Sequence, residues 1–425
     1  MTLMTLIEPE QFAFGNLLRP DDQVICGQAC AEPLTLTRHF VAECARRQIS
    51  VQTFVGTLFS DTFEHAPSSM RFLSYGAIGQ AAKIAHRGGF DIVSERYSRL
   101  AGLFANGALP ADVVLLQAAI GDDGSLSFGL ASDYVIDAAR KARVVVVEVN
   151  PFVPWTYGTV WPEDLRVDAW VRGAHKPVEL LPGQATRTEM AIANHVAALI
   201  PDGATLQVGV GALPDAMLRA LQGHRYLGLH SGVLGDAALS LISAGVIDNS
   251  RKVCDAGVSV ANTICGSAST YRFVHRNKGV EVRHSNFTHD ARVLARQYRL
   301  HTINGALEVD LSGQVNCEQL RGQPRGGIGG LLDFSRAARE SQGGRSITVL
   351  PATAAGARAS RIVASLSGPA TLGRADVDIV VTEYGIAELR DVSQHERAKR
   401  LIAIAAPSFR ARLEAEYRAL KRSSG

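Results

Sequence analysis

The sequence predicts an α/β fold: two tandem, related domains, each a mostly parallel sheet covered by helices. Three observations carry this. Runs such as Val113-Val114-Leu115-Leu116 and Val144-Val145-Val146-Val147 lack the alternation of a half-solvated strand, so they read as strands buried on both faces. Helical segments separate them, which is the pattern of β-α-β units. And the pattern is written twice along the chain.

In the first half, Asp21-Asp22 precedes the strand Gln23-Val24-Ile25-Cys26, Gly27 opens a loop ending in Glu32-Pro33, and a helix follows from Leu34 to Arg46. In the second, Pro201-Asp202-Gly203 precedes a strand from Ala204 to Val208, and Gly209 and Gly211 open a loop closed by Pro214. A helix then runs from Asp215 to Leu221; proline costs little at a helix start, because the amide it lacks would be unpaired there. Further on, Phe128-Gly129-Leu130 leads to a strand from Arg143 to Val149, and Gly329-Gly330-Leu331 leads through Phe334 to a strand from Ser346 to Leu350. A third pairing, on composition, sets Ala111 to Leu116 against Asp376 to Val381. The domains so read are 1–182 and 183–425, joined near Leu181-Pro182-Gly183. Past Arg390 the chain is helical and charged, with a fraying surface tail that ends Lys421-Arg422-Ser423-Ser424-Gly425.

With 425 residues the chain is long enough for two or three full cores, and 46% hydrophobic with 20% charged residues is a globular balance. A net charge of +3, evenly spread, argues against nucleic acid. Cys26, Cys30, Cys44, Cys254, Cys265 and Cys317 form no Cys-x-x-Cys pair and no His cluster has ligand spacing, so no metal site is expected. Such thin cysteine usage suits a reducing compartment. Met1 to Pro20 has neither a basic leader nor an apolar core, and no apolar run approaches the roughly 20 residues that span a bilayer. The expectation is a cytoplasmic protein with no membrane partner.

Two neighbouring segments carry the most chemistry: Leu206-Gln207-Val208-Gly209-Val210-Gly211-Ala212-Leu213-Pro214 and Leu229-His230-Ser231-Gly232-Val233-Leu234-Gly235-Asp236. Loops at the C-terminal ends of strands are where an open α/β sheet builds its ligand site. Bare glycines let main-chain amides converge on a phosphate or oxyanion. Gly-x-Gly-x-x-Pro is not the dinucleotide fingerprint, and no acidic residue closes the next strand. Taken alone, the loop serves equally as a plain turn. Gly326-Gly327-Ile328-Gly329-Gly330 holds four glycines in five positions, a density that favours ligand contact. Glu308 to Asn316 reads as a strand pair turning at Ser312-Gly313. Glu383, at a strand end, reads as a structural cap or ion-pair partner. His275, His284, His289 and His301 each read as surface or satisfied histidines, and His230-Ser231 is no dyad, because consecutive strand residues face opposite ways.

On these residues the chain resembles the acetyl-CoA hydrolase/transferase family. The likeness runs through Val113 to Gln117, Glu148-Val149-Asn150-Pro151, the Gln207 to Pro214 loop, Ala244-Gly245-Val246-Ile247-Asp248-Asn249, Phe287-Thr288-His289-Asp290, Asn304 to Asn316, Gly329-Gly330 and Val381-Thr382-Glu383-Tyr384-Gly385. The resemblance implies tandem CoA-transferase domains that move CoA between a small acyl-CoA and a carboxylate of the acetate, butyrate or 4-hydroxybutyrate class. It implies coenzyme A as substrate with no tightly bound cofactor, and a homodimer or homotetramer. A glutamate attacks the thioester and passes through a glutamyl-CoA thioester, covalent catalysis that splits one hard exchange into easier steps. Gly209, Val210, Gly211, Ala212, Leu213, Pro214, Gly329 and Gly330 line the CoA end, and His230, Ser231 and Gly232 form the active-site loop.

This chain departs from the family at the nucleophile: Gly232 holds the glutamate's place, and Gly326 that of a family asparagine. Glu32, Asp236 and Glu308 are the substitute carboxylates, Glu32 because it sits in the first half's counterpart of the Gly209 loop. Three expectations follow: an enzyme working by direct attack or through another carboxylate, a non-catalytic acyl-CoA-binding relative, or a variant whose glycine admits a bulkier acyl chain.

Overall fold

A computed structural model of the chain describes residues 4–354 and 356–423. Ser424 and Gly425 of the tail, and Met1 to Leu3 of the supposed leader-free start, lie outside the described residues. The chain forms two compact units. The first takes residues up to Leu181 together with Val233–Gly235 and Val258–Thr288; the second takes Pro182–Gly232, Asp236–Gly257 and the chain from His289 on. Two stretches within 183–425 thus pack with the first unit.

In the first unit, parallel strands run in the order Leu6–Ile7, Ala169–Arg172, Val144–Val149, Val113–Ile120, Gln23–Cys26, Val51–Phe54, Met70–Ser74 and Phe90–Ile92. Period-two geometry then sorts their side chains. Val113, Leu115, Val144 and Val146 enter one core with Phe40 of the helix Leu34–Arg47. Val114, Leu116, Val145 and Val147 enter the other, against Leu100 and Phe104 of Tyr97–Ala105 and against Tyr134. Each buried Val or Leu contributes about 1.5–3 kcal/mol, which is why an unbroken apolar run was needed.

The second unit places Gly385–Glu388, Ile379–Thr382, Arg345–Val349, Leu300–Gly305, Thr205–Val208 and Gly228–Leu234 side by side, all parallel except the first. Read from one side, both units order their strands alike: Ala169–Arg172, Val144–Val149, Val113–Ile120, Gln23–Cys26, Val51–Phe54 in the first match Ile379–Thr382, Arg345–Val349, Leu300–Gly305, Thr205–Val208, Gly228–Leu234 in the second. The first two sequence pairings fit this order. The third does not: Val113–Ile120 corresponds to Leu300–Gly305, and Ile379–Thr382 to Ala169–Arg172. Composition alone misled there, because every central strand of a doubly covered sheet is β-branched.

Helix starts are capped by different means. Thr186 and Glu189 form a reciprocal capping box on Arg187–Ala197. The helix Leu34–Arg47 follows Pro33 and takes its cap from a distant strand: Glu148 Oε2 accepts the amides of Thr35 and Leu36 at 2.8 and 3.2 Å. Asn150 Nδ2 donates to the other oxygen at 2.9 Å. Burial outweighs these donors and pushes the Glu148 carboxyl from 4.5 up to about 7. Its protonated form therefore favours the fold, a contribution that is full below pH 4.5 and lost as pH rises towards about 7. Across that window the wild type is expected to lose on the order of 3 kcal/mol relative to Glu148→Gln, measured by urea unfolding. A difference that does not vary with pH would contradict this assignment.

Candidate active site

The site is built in the second unit, where two strands part. Thr205–Val208 pairs with Gly228–Leu234 through Thr205↔Gly228 and Leu206↔Leu229. Further along, the Ser231 hydroxyl bridges the pair, donating to Val208 O at 2.9 Å and accepting from Val208 N at 3.3 Å. On the other flank, the amides of Gln207 and Asn304 exchange hydrogen bonds at 3.1 and 3.0 Å. His230 points away from Ser231, its Nδ1 lying 3.2 Å from Gln297 Nε2. The alternation argument against a dyad holds.

The Gly209 loop is open. A Cβ at Gly209 would meet only Pro214 Cγ at 3.9 Å, and one at Gly211 only Pro214 Cδ at 4.0 Å. Gly211 has φ +124°, where a side chain is strained, and it precedes a helix, Ala212–Arg219, that starts three residues earlier than Asp215. Val210, Ala212, Leu213 and Pro214 are half-buried around it. Asp215 sits in that helix's first turn with its carboxyl pushed up by burial; Arg219 lowers it and Asp236 raises it again.

The second glycine loop has different reasons at different positions. At Gly326 a Cβ would strike Cys317 O at 2.2 Å, so the main chains touch there. Gly329 has φ +50° and open space beside it. At Gly330 a Cβ would lie 2.7 Å from His289 Cδ2 and 2.8 Å from its Nε2. Close packing within the unit thus accounts for two of these glycines.

His289 is the residue sequence reasoning passed over. Asp290 caps the helix Ala291–Ala295, its Oδ1 accepting from Arg292 N at 2.8 Å and Val293 N at 3.1 Å, and this fixes His289 just ahead of the helix. Its ring meets Phe334 edge-on at 4.9 Å. It is 4% exposed, and burial pushes its pKa down to about 3, so the imidazole is neutral at any working pH. A Cβ at Gly232 would meet His289 Nε2 at 3.2 Å and Cε1 at 3.5 Å, then Phe334 Cε2 at 3.7 Å. One imidazole nitrogen therefore faces two glycines, Gly232 and Gly330, and both glycines are half-buried. The sequence signal for it was local only: a histidine before a capping aspartate.

The three substitute carboxylates have other neighbours. Glu32, in the first unit, is 1% exposed and accepts from Ser60 Oγ at 2.6 Å and Thr37 Oγ1 at 2.8 Å, with burial raising its pKa against these hydroxyls. Glu308 accepts from Ser367 N and Oγ, each at 2.9 Å. It starts the hairpin read from the sequence: Glu308–Asp310 pairs with Val315–Asn316, Asp310 Oδ1 takes the amides of Ser312 and Gln314, and Gly313 has φ +91°. Asp236 opens the helix Asp236–Ser243. The three atoms nearest a Cβ at 232 belong to His289 and Phe334. Glu383 is structural, accepting Ala352 N at 2.7 Å.

Family models match at both ends of the chain. The N-terminal domain of acetyl-CoA hydrolase/transferase matches residues 5–169 and its C-terminal domain residues 266–417. The chain belongs to the acetyl-CoA hydrolase/transferase family. Members of this family act on CoA thioesters, as transferases or hydrolases. The 4-hydroxybutyrate coenzyme A transferase of Clostridium kluyveri is 39% identical over 74% of each chain. The butyryl-CoA:acetate CoA-transferase of Anaerostipes caccae is 33% identical over 75% of this chain and 74% of its own. The crystal structure of RipA from Yersinia pestis superposes with a TM-score of 0.91 at 29% identity, covering 98% of this chain and 97% of that one. The family models leave residues 170–265 between them, and that stretch holds both the Gly209 loop and Gly232. Among the described residues of this family member, no group of three His, Cys, Asp or Glu is placed to hold a metal, and no helix is long and apolar enough to cross a membrane.

The packing around the imidazole is testable by itself. Gly330→Ala should destabilise the protein by about 1–3 kcal/mol through overpacking, and the loss should shrink when His289→Ala is added. Chemical denaturation of the two single variants and the double variant measures the coupling; additive losses would mean that Gly330 and the ring are not in contact.

Proposed function

We propose that this chain binds a small acyl-CoA with its thioester beside Gly232 and that a carboxylate or water attacks the thioester carbon directly, without a glutamyl-CoA intermediate: a carboxylate gives a mixed anhydride that the released CoA reopens at the acceptor's carbonyl, and water gives the acid and free CoA. What supports this is the packing at Gly232: a Cβ there would meet His289 Nε2 at 3.2 Å and Phe334 Cε2 at 3.7 Å, and no carboxylate oxygen is among its three nearest atoms. Gly209, Val210 and Gly211 supply main-chain donors for the oxyanion, at the start of a helix whose positive end adds to them. Gly329 and Gly330 flank the thioester from the second loop. On the same footing we assign the protein to the cytoplasm as a homodimer or homotetramer.

Acetyl-CoA or butyryl-CoA, incubated with the protein and labelled acetate, tests this. Label entering acyl-CoA, or free CoA appearing, is the expected result. CoA binding by calorimetry with neither product would instead favour the acyl-CoA-binding relative. Intact mass after incubation should show no CoA adduct, and an adduct on the wild type would refute direct transfer. Gly232→Glu alone brings its side chain against His289. Gly232→Glu with His289→Ala should therefore accumulate more glutamyl-CoA adduct than Gly232→Glu by itself.

A further inference from the structure

We propose that the first unit holds a binding pocket for a purine mononucleotide, a function that goes beyond the acyl-CoA reading above. The pocket lies where the strands Val144–Val149 and Ala169–Arg172 end, against the helix Ala268–Val274, and has a volume of about 320 Å³. Every residue that lines it belongs to the first unit. Strand ends are where an open α/β sheet builds a ligand site, and the volume falls within the range of ligand pockets. Three segments form its walls, and hydrogen bonds tie them together. Asn150 Nδ2 donates to His175 O at 2.8 Å, while Asn150 Oδ1 accepts from Phe152 N at 2.9 Å, which joins the two strand ends. Tyr271 donates its hydroxyl to Val178 O, and Glu179 accepts from Ala268 N at 2.7 Å, which joins the second strand end to the helix. Trp155 N donates to His275 Nδ1 at 3.1 Å and ties the helix end back to the first. The walls are set before a ligand arrives, so binding costs little ordering.

Charge and donor count select the ligand. Lys176, Arg272 and His275 all line the pocket. Among the described residues, Lys176 and Arg272 have no ion-pair or hydrogen-bond partner. Because His275 Nδ1 accepts an amide proton, the ring carries its own proton on Nε2 and is a donor there. Glu179 is the acidic residue of the lining, and one of its oxygens is taken up by Ala268 N. Two fixed positive charges against one negative favour an anion. A carboxylate brings two acceptor oxygens; a phosphate monoester brings three and nearly two charges, which matches three donors better. The rest of the lining is largely apolar, and inorganic phosphate would leave it wet. Phe152 in particular is 48% exposed, a phenyl left uncovered beside the two cations. A flat base covers that face by stacking while its phosphate meets the donors, and a guanidinium such as that of Arg272 also packs on such a ring. The nucleotide is either free or the nucleotide end of coenzyme A, since the two share this chemistry.

Calorimetry on the full chain with adenosine monophosphate, adenosine and inorganic phosphate tests this. The monophosphate should bind saturably, about 10-fold or more tighter than either part alone, and its affinity should fall as salt rises. Phe152→Ala, and Lys176→Ala combined with Arg272→Ala, should each weaken it by about 10-fold or more. All three side chains are exposed, so these variants should fold as the wild type does, which circular dichroism checks. Wild-type affinity in the variant lacking both cations would overturn the proposal. So would a lack of saturation, adenosine binding as tightly as the monophosphate, or inorganic phosphate doing so. Competition with coenzyme A then identifies the source of the nucleotide. Displacement of the monophosphate assigns the pocket to the nucleotide end of coenzyme A, simultaneous binding assigns it to a separate nucleotide, and either result upholds the site. No arm of the test depends on turnover, so a failure of the acyl-CoA chemistry leaves this pocket standing.

Discussion

Burial of a parallel sheet on both faces is the constraint behind everything else in this molecule. A strand such as Val113–Ile120 sends alternate side chains into two separate cores, so its length leaves no position for reactive groups. Polar chemistry is pushed to the strand ends, where the ladder stops and the chain turns. Glu148, Gln207 and Asn304 lie one residue from such ends, and Ser231 and Gly232 lie beyond the last residue that pairs with Thr205–Val208. What each of them does there depends on which hydrogen-bonding groups the ending ladder leaves to be satisfied.

At the end of Thr205–Val208 the Ser231 hydroxyl serves Val208, and the backbone of the next residue is then free of a side chain altogether. This gives Gly232 a double character. As the nucleophile position proposed above it is deficient, because it has nothing to attack with. As a surface packed on His289 and Phe334, which Gly330 also touches, it is well matched to its neighbours. Replacing the glycine would require moving the ring, and moving the ring would disturb the contact with Gly330.

Much of this architecture was legible in the sequence. The strands Gln23–Cys26 and Thr205–Val208, the helix Leu34–Arg47 and the hairpin around Gly313 follow from apolar runs, caps and turn residues, which act over a few positions. The early start of the helix at Ala212 was missed because Pro214 was taken to close the loop, whereas it sits inside the first turn. The wrong third strand pairing came from composition, which is shared by all doubly buried strands. The role of Gly326 and Gly330 was not legible either: each is bare because a distant atom, Cys317 O or His289 Nε2, comes close. Contacts of that kind are made by the fold and leave no local mark. For the same reason the one imidazole at Gly232 looked like any other histidine.

The matching strand order of the two units makes their unlike loops informative. After its first strand, one copy carries Glu32, locked by Ser60 and Thr37 inside a sealed interior. At the equivalent bend the other copy carries naked peptide groups with empty room before them. The shared strand order thus carries two unlike bends: one is locked into framework, and the other keeps its mouth open.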